Sequence, residues 1–197
     1  MTRFRSVLAL LAVAACAALP LRPAVAGETA KPVIVTLDTN VGKIVLALDP
    51  QRAPRTVANF VHYVRDGFYR GTIFHRVIPG FMIQGGGYTK DLTEKPTRDP
   101  IPIESNNGLK NLRGTIAMAR TSDPNSATAQ FFINIVDNGF LDYPGQDGYG
   151  YTVFGRVISG LGVVDRIAAV PTTSQDGAFQ NLPSTPVVIE DAHLGNH

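Results

Sequence analysis

Arg76 stands inside an apolar run, Phe74-His75-Arg76-Val77-Ile78-Pro79-Gly80-Phe81-Met82-Ile83-Gln84. A guanidinium keeps its charge at any physiological pH, and burying it among Phe, Ile, Met and Val is unfavourable unless partners or a ligand compensate it. Two readings fit: Arg76 lies on the wet face of a strand, or it projects into an apolar groove where a ligand's polar atoms meet it. Strand alternation places Phe74, Arg76 and Ile78 on one face and His75 and Val77 on the other, which favours the groove. His75, on the opposite face from Arg76, reads as a structural, hydrogen-bonded imidazole rather than a general base. Taken singly, Phe81, Met82, Phe132 and Leu141 read as ordinary core, and Gln84 and Gln130 as solvated strand residues. Other chemistries find no support. The four histidines form no H-E-x-x-H, the single cysteine excludes a thiolate cluster, and neither G-x-S-x-G nor a phosphate-binding G-x-x-x-x-G-K-[ST] occurs.

Further blocks follow in order: Met118-Ala119, Gln130-Phe131-Phe132-Ile133-Asn134, Phe140-Leu141-Asp142 and Val153-Phe154-Gly155. Together with the run around Arg76 they resemble the cyclophilin family of peptidyl-prolyl isomerases, over residues 33–194. Segment 107–121 is most similar to the periplasmic cyclophilins of Gram-negative bacteria. The resemblance implies a mainly β fold, an eight-stranded antiparallel closed barrel capped by two α-helices, and an enzyme that rotates X-Pro bonds without a cofactor or metal. It implies Arg76 as the catalytic residue, hydrogen-bonded to the substrate near the proline, with Phe81, Met82, Phe132 and Leu141 as the proline pocket. Gln84 and Gln130 would orient the Arg and contact substrate. Ala119 and Arg120 would offer backbone amide and carbonyl to an extended peptide, with Phe74 and His75 supporting from behind. The best-known members carry Trp at the position of Phe140 and His at that of Tyr151. This chain has no Trp, so binding of cyclosporin, which would use the indole N–H, is expected to be impaired. The 121–129 loop is one residue longer than in those members.

Such a reaction makes and breaks no bond to an atom, so it needs neither nucleophile nor base. It needs a groove for the ring and groups that favour the twisted amide. The chief rival is a module that binds Pro-containing or unfolded chains, chaperone-like, with turnover incidental. A small-ligand barrel is more distant, since small barrels fill their interior with side chains and leave a lone Arg unexplained.

Residues 1–26 read as a secretory signal: Arg3 and Arg5, an apolar run over 7–19, Pro20, then Ala24-Val25-Ala26 as a small-residue cleavage site. The run is too short and interrupted to span a bilayer. The domain is therefore 27–197, expected in the periplasm. Val13-Ala14-Ala15-Cys16 also resembles a lipobox, which would instead anchor the protein to a membrane through Cys16. Removing the leader leaves 15 basic and 16 acidic residues, a balance with no footprint for nucleic acid or an anionic membrane. Proline-containing polypeptides are the expected partners, met by a monomer.

The elements that must position these residues can be read from period and punctuation. Runs 33–38 and 43–48 form an opening hairpin. Pro54 and the stripe Val57, Phe60, Val61 and Val64 predict a helix ended by Gly67, with Ala53 a poor cap. Segments 73–78, 82–84, 115–119, 130–136, 152–157 and 187–189 read as short strands. Ser159 is expected to cap a second helix carrying Leu161, Val164 and Ala168. Gly85-Gly86-Gly87 predicts a bend where backbone approaches closely. Stretches 88–112 and 172–186 read as surface excursions.

Overall fold

The computed structural model describes residues 31–173, 175 and 179–195; the leader expected over 1–26, with Cys16, lies outside them. The hairpin of β1 (Val33–Thr39) and β2 (Gly42–Leu48) alternates cleanly, and Val35, Leu37, Ile44, Leu46 and Leu48 are all buried. Its register sets Val35 opposite Leu46 and Leu37 opposite Ile44, so one face enters the core together.

Helix α1 (Pro54–Arg65) buries Val57, Phe60, Val61, Tyr63 and Val64. Ala53 makes no side-chain cap bond; a distant carboxylate does the work. Glu104 accepts from the amides of Arg55 and Thr56 at 3.1 and 2.8 Å and from the Thr56 hydroxyl at 2.7 Å. This satisfies orphan donors of the first turn and sets a negative charge at the positive end of the helix.

Short strands follow: β3 (Thr72–Ile73), β4 (Arg76–Ile78), β5 (Met82–Gly85), β6 (Thr115–Met118), β7 (Phe131–Asn134) and β8 (Val153–Ser159). Then come α2 (Leu161–Ala168), β9 (Thr172–Thr173), β10 (Leu182–Pro183) and β11 (Val188–Leu194). Nine strands form one antiparallel sheet in the order β3-β11-β1-β2-β8-β6-β7-β5-β4, and β9 and β10 pair separately. The expected mainly β fold with two helices is thus present as a curled antiparallel sheet of nine strands, where eight were expected. Its ends, β3 and β4, are separated only by Phe74 and His75, which leave the ladder: the Phe74 amide donates to Val187 instead.

That break also corrects the expected strand faces. Phe74 does not share the face of Arg76; it is fully buried in the main core, edge-on to Phe131 at 6.0 Å. The cause is Gly85, where a Cβ would lie 2.8 Å from the Ile73 carbonyl oxygen and 3.0 Å from the Phe74 Cα. Backbone crosses backbone there, as the glycine run predicts. Ser159 is not the cap of α2 either. It ends β8, and Gly160, at φ 86°, takes the cap position without a side-chain bond.

Candidate active site

The sheet carries a second apolar cluster, apart from the main core, of Met82, Ala117, Phe132, Leu141 and Val153. Strand alternation explains it. On β5 and β7, Ile83, Phe131 and Ile133 join the main core, which leaves Met82 and Phe132 for the other face. Register then aligns that face across four strands: Arg76 on β4 is opposite Gln84 on β5, Gln84 is opposite Phe132 on β7, and Phe132 is opposite Ala117 on β6. A fixed cation, an amide and an aromatic ring therefore stand in one row.

Above this row lies a cleft of about 110 Å³ walled by Arg76, Phe81, Met82, Gln84, Ala119, Arg120, Phe132, Leu141 and Tyr151. Nine of the residues expected from sequence converge on it. Arg76 donates to Gln84 Oε1 at 3.3 Å, and Gln84 Nε2 donates to Gln130 Oε1 at 3.1 Å. Gln130 lies outside the wall and acts on it through this relay. Its own place is set by Gly87, where a Cβ would meet the Gln130 side chain at 2.5 Å. Among the described residues, no carboxylate lies within ion-pairing distance of Arg76, although it is only partly exposed.

Phe140 is also outside the wall. It is 52% exposed and stacks on Phe81 with centroids 5.6 Å apart, which places it at the rim. The Ala119 amide donates to the Gln130 carbonyl at 3.0 Å, which continues the β6–β7 ladder by one residue. His75 is buried as expected; its Nδ1 has no partner of ordinary hydrogen-bond geometry, and the Ile73 backbone is the polar group beside the ring. Its ring meets Tyr88 edge-on at 4.8 Å, an apolar contact. Burial, helped by the neighbouring Arg76 charge, lowers its pKa to about 4, so it is neutral at physiological pH.

Sequence reasoning missed a polar scaffold beneath the cleft. Asn134 Nδ2 donates to Asn111 Oδ1 at 3.2 Å and to Thr115 Oγ1 at 3.0 Å, while Asn138 Nδ2 donates to Asn134 Oδ1 at 2.7 Å and to the Phe81 carbonyl at 2.9 Å. Asn111, in turn, donates from its amide and side chain to Asp142 Oδ1. All three asparagines are buried. The network ties the segment bearing Phe81 to the 3₁₀ turn Gly139–Leu141 that bears Phe140 and Leu141. The one sequence signal was Asn134 closing an otherwise apolar strand.

Fold and cleft together define a mainly β protein with a small apolar slot beside one uncompensated guanidinium, able to hold a compact ring and donate hydrogen bonds to it without proton transfer. Residues 34–194 match the family described as cyclophilin type peptidyl-prolyl cis-trans isomerase/CLD. Peptidyl-prolyl cis-trans isomerase A of Dickeya dadantii is 56% identical over 172 residues, 87% of this chain and 88% of that protein. Peptidyl-prolyl cis-trans isomerase B of Escherichia coli is 55% identical over 159 residues, 80% and 96% respectively. Among solved structures, a cyclophilin type isomerase of Cryptosporidium parvum, crystallised in the presence of the dipeptide Ala-Pro, matches with a TM-score of 0.72. Its sequence identity is 27%, over 83% of this chain and 99% of that one. The chain belongs to the cyclophilin type peptidyl-prolyl cis-trans isomerases, and its activity is the isomerisation of X-Pro bonds.

Proposed function

We propose that this isomerase works as a monomer in the periplasm, on X-Pro bonds of exported chains as they fold, and that Arg76 is its catalytic residue. The observation that carries the mechanism is a guanidinium without a carboxylate partner, held by the Gln84–Gln130 relay at the edge of an apolar slot. Amide resonance sets a barrier of about 18 to 20 kcal/mol, while cis and trans X-Pro differ by only about 0.5 to 1 kcal/mol. A donor facing the prolyl nitrogen gains little from the planar amide, whose lone pair is delocalised. It gains more from the twisted one, and that difference lowers the barrier. Phe81, Met82, Phe132 and Leu141 hold the ring and exclude water, which strengthens the bond from Arg76. The dipeptide in the Cryptosporidium structure supports a proline-containing ligand for this cleft.

For the fold, we read residues 72–78 as one interrupted strand. Pairing of β3 with β11 and of β4 with β5 would then close an eight-stranded barrel. The leader pattern in residues 1–26 supports export. Exchange NMR on an Ala-Pro peptide, with and without the protein lacking residues 1–26, reports turnover directly; no line broadening at catalytic enzyme concentration would overturn the assignment. N-terminal sequencing of the protein from a periplasmic fraction is expected to begin at Gly27, whereas a lipid-modified chain beginning at Cys16 would replace the soluble form with an anchored one.

A further inference from the structure

Arg120 is the second arginine among the cleft residues, and its side chain, only 3% exposed, lies behind the wall. Nε and Nη2 donate to the Gly150 carbonyl at 3.1 and 2.8 Å, and Nη1 donates to the Thr121 carbonyl at 2.9 Å. The guanidinium carbon lies 4.4 Å from the centroid of the Tyr151 ring, itself part of the wall and edge-on to Phe132. Carbonyls and a ring supply dipoles, not a counter-charge. The counter-charge is Asp147, whose carboxylate accepts from Arg120 Nη2 and is Arg120's one ion-pair partner among the described residues. The other carboxylate oxygen of Asp147 accepts from the amides of Tyr149 and Gly150, each at 3.0 Å, so the loop's own backbone aims the carboxylate inward. Both arginines thus belong to one cleft of about 110 Å³: Arg120 is neutralised behind the Tyr151 ring, and Arg76 has no carboxylate partner among the described residues. The Tyr151 ring separates the Arg120 charge from the cleft by one side chain, so that charge acts on a bound substrate at short range.

We infer that Asp147 determines the charge specificity of the enzyme beside the proline: by cancelling Arg120 it keeps the wall around Tyr151 neutral, so acidic and basic neighbours are both turned over and Arg76 alone meets the substrate as a free cation. This rests on the cleft being the substrate site. Removing the carboxylate exposes a second positive charge, which attracts an acidic neighbour of the proline and repels a basic one through a partly screened medium. The side chain of Arg120 therefore acts on specificity, beyond the backbone role that the family resemblance implies for it.

The test compares kcat/KM by exchange NMR for three peptides differing only in Glu, Ala or Lys before the proline. For Asp147→Asn, which keeps the shape, the Glu to Lys ratio is expected to rise about 3- to 10-fold over wild type at low ionic strength. The Ala peptide should change less than about 2-fold, and the ratio should fall back in roughly 0.5 M salt, where charges are screened. Asp147→Glu, which restores the charge, should return the ratio toward wild type. An unchanged ratio in a folded Asp147→Asn protein overturns the inference, as does an equal loss on all three peptides, which would mark Asp147 as a loop strut alone. Arg76→Ala on the Ala peptide separates the two claims: full activity there defeats the mechanism proposed for Arg76 and leaves the charge comparison standing.

Discussion

Arg76 donates to Gln84 at 3.3 Å, near the long limit of a useful hydrogen bond, so most of its five donors remain for a substrate. Arg76→Ala should leave the fold intact and lower kcat/KM by about 10²- to 10³-fold, the scale of losing one transition-state donor. Arg76→Lys should recover little, since a point charge cannot keep one donor on Gln84 and another on the prolyl nitrogen in a fixed plane. Wild-type kinetics in either folded variant would refute the role. Phe140 offers a second residue-scale test. It stacks on Phe81 at the rim and has no donor where the drug-sensitive cyclophilins have an indole. Phe140→Trp should tighten cyclosporin binding by roughly 1 to 2 kcal/mol, or about 5- to 30-fold, from one hydrogen bond plus apolar contact. Proline turnover should change far less, because position 140 is outside the slot. Titration calorimetry decides it; unchanged affinity would move the cause to Tyr151 or the 121–129 loop.

Elements whose own period carries them were legible in the sequence, and those set by distant partners were not. The β1–β2 hairpin and the stripe of α1 follow from alternation and from a 3.6-residue repeat. Arg76, Gln84 and Phe132 could be named from motif, but their alignment in one row depends on register across β4, β5 and β7, which no local pattern fixes. The interruption at Phe74 and His75 was invisible for the same reason: alternation reads straight through it, while the approach of Gly85 breaks it. The cap of α1 is the plainest case, since Glu104 lies about fifty residues from the amides it receives. Glu104→Ala is therefore expected to lower stability by about 1 to 2 kcal/mol, the usual loss for a helix cap. Urea unfolding would show a lower midpoint at unchanged slope. An unaltered midpoint would mean that solvent caps α1 equally well.

Across the whole molecule, ionisation sets how stability responds to acid, and the groups that matter are those whose pKa differs between folded and unfolded chain. In the mildly acidic range the group with the large, clearly caused shift is His75. Its unfolded pKa is near 6.5, and burial together with the Arg76 charge lowers the folded value to about 4. The fold therefore favours the neutral ring. Its contribution is fully present above about pH 6.5, declines as the pH falls through the window from 6.5 to 4, and is lost below it, amounting to about 3 kcal/mol in all. Asp147 and Asp191 are held below the ordinary carboxylate range by bonds from Arg120 and Arg70, so their contributions persist through that window and fail only at lower pH. Between pH 6.5 and 4 the imidazole should thus dominate the slope. His75→Phe keeps a ring against Tyr88 and removes both the titration and the unpartnered Nδ1. Urea unfolding at a series of pH values should show wild type losing stability steadily through the window and the variant losing about 3 kcal/mol less. Equal slopes for the two proteins would mean that His75 finds a proton at little expense in the folded state, and that acid sensitivity arises elsewhere.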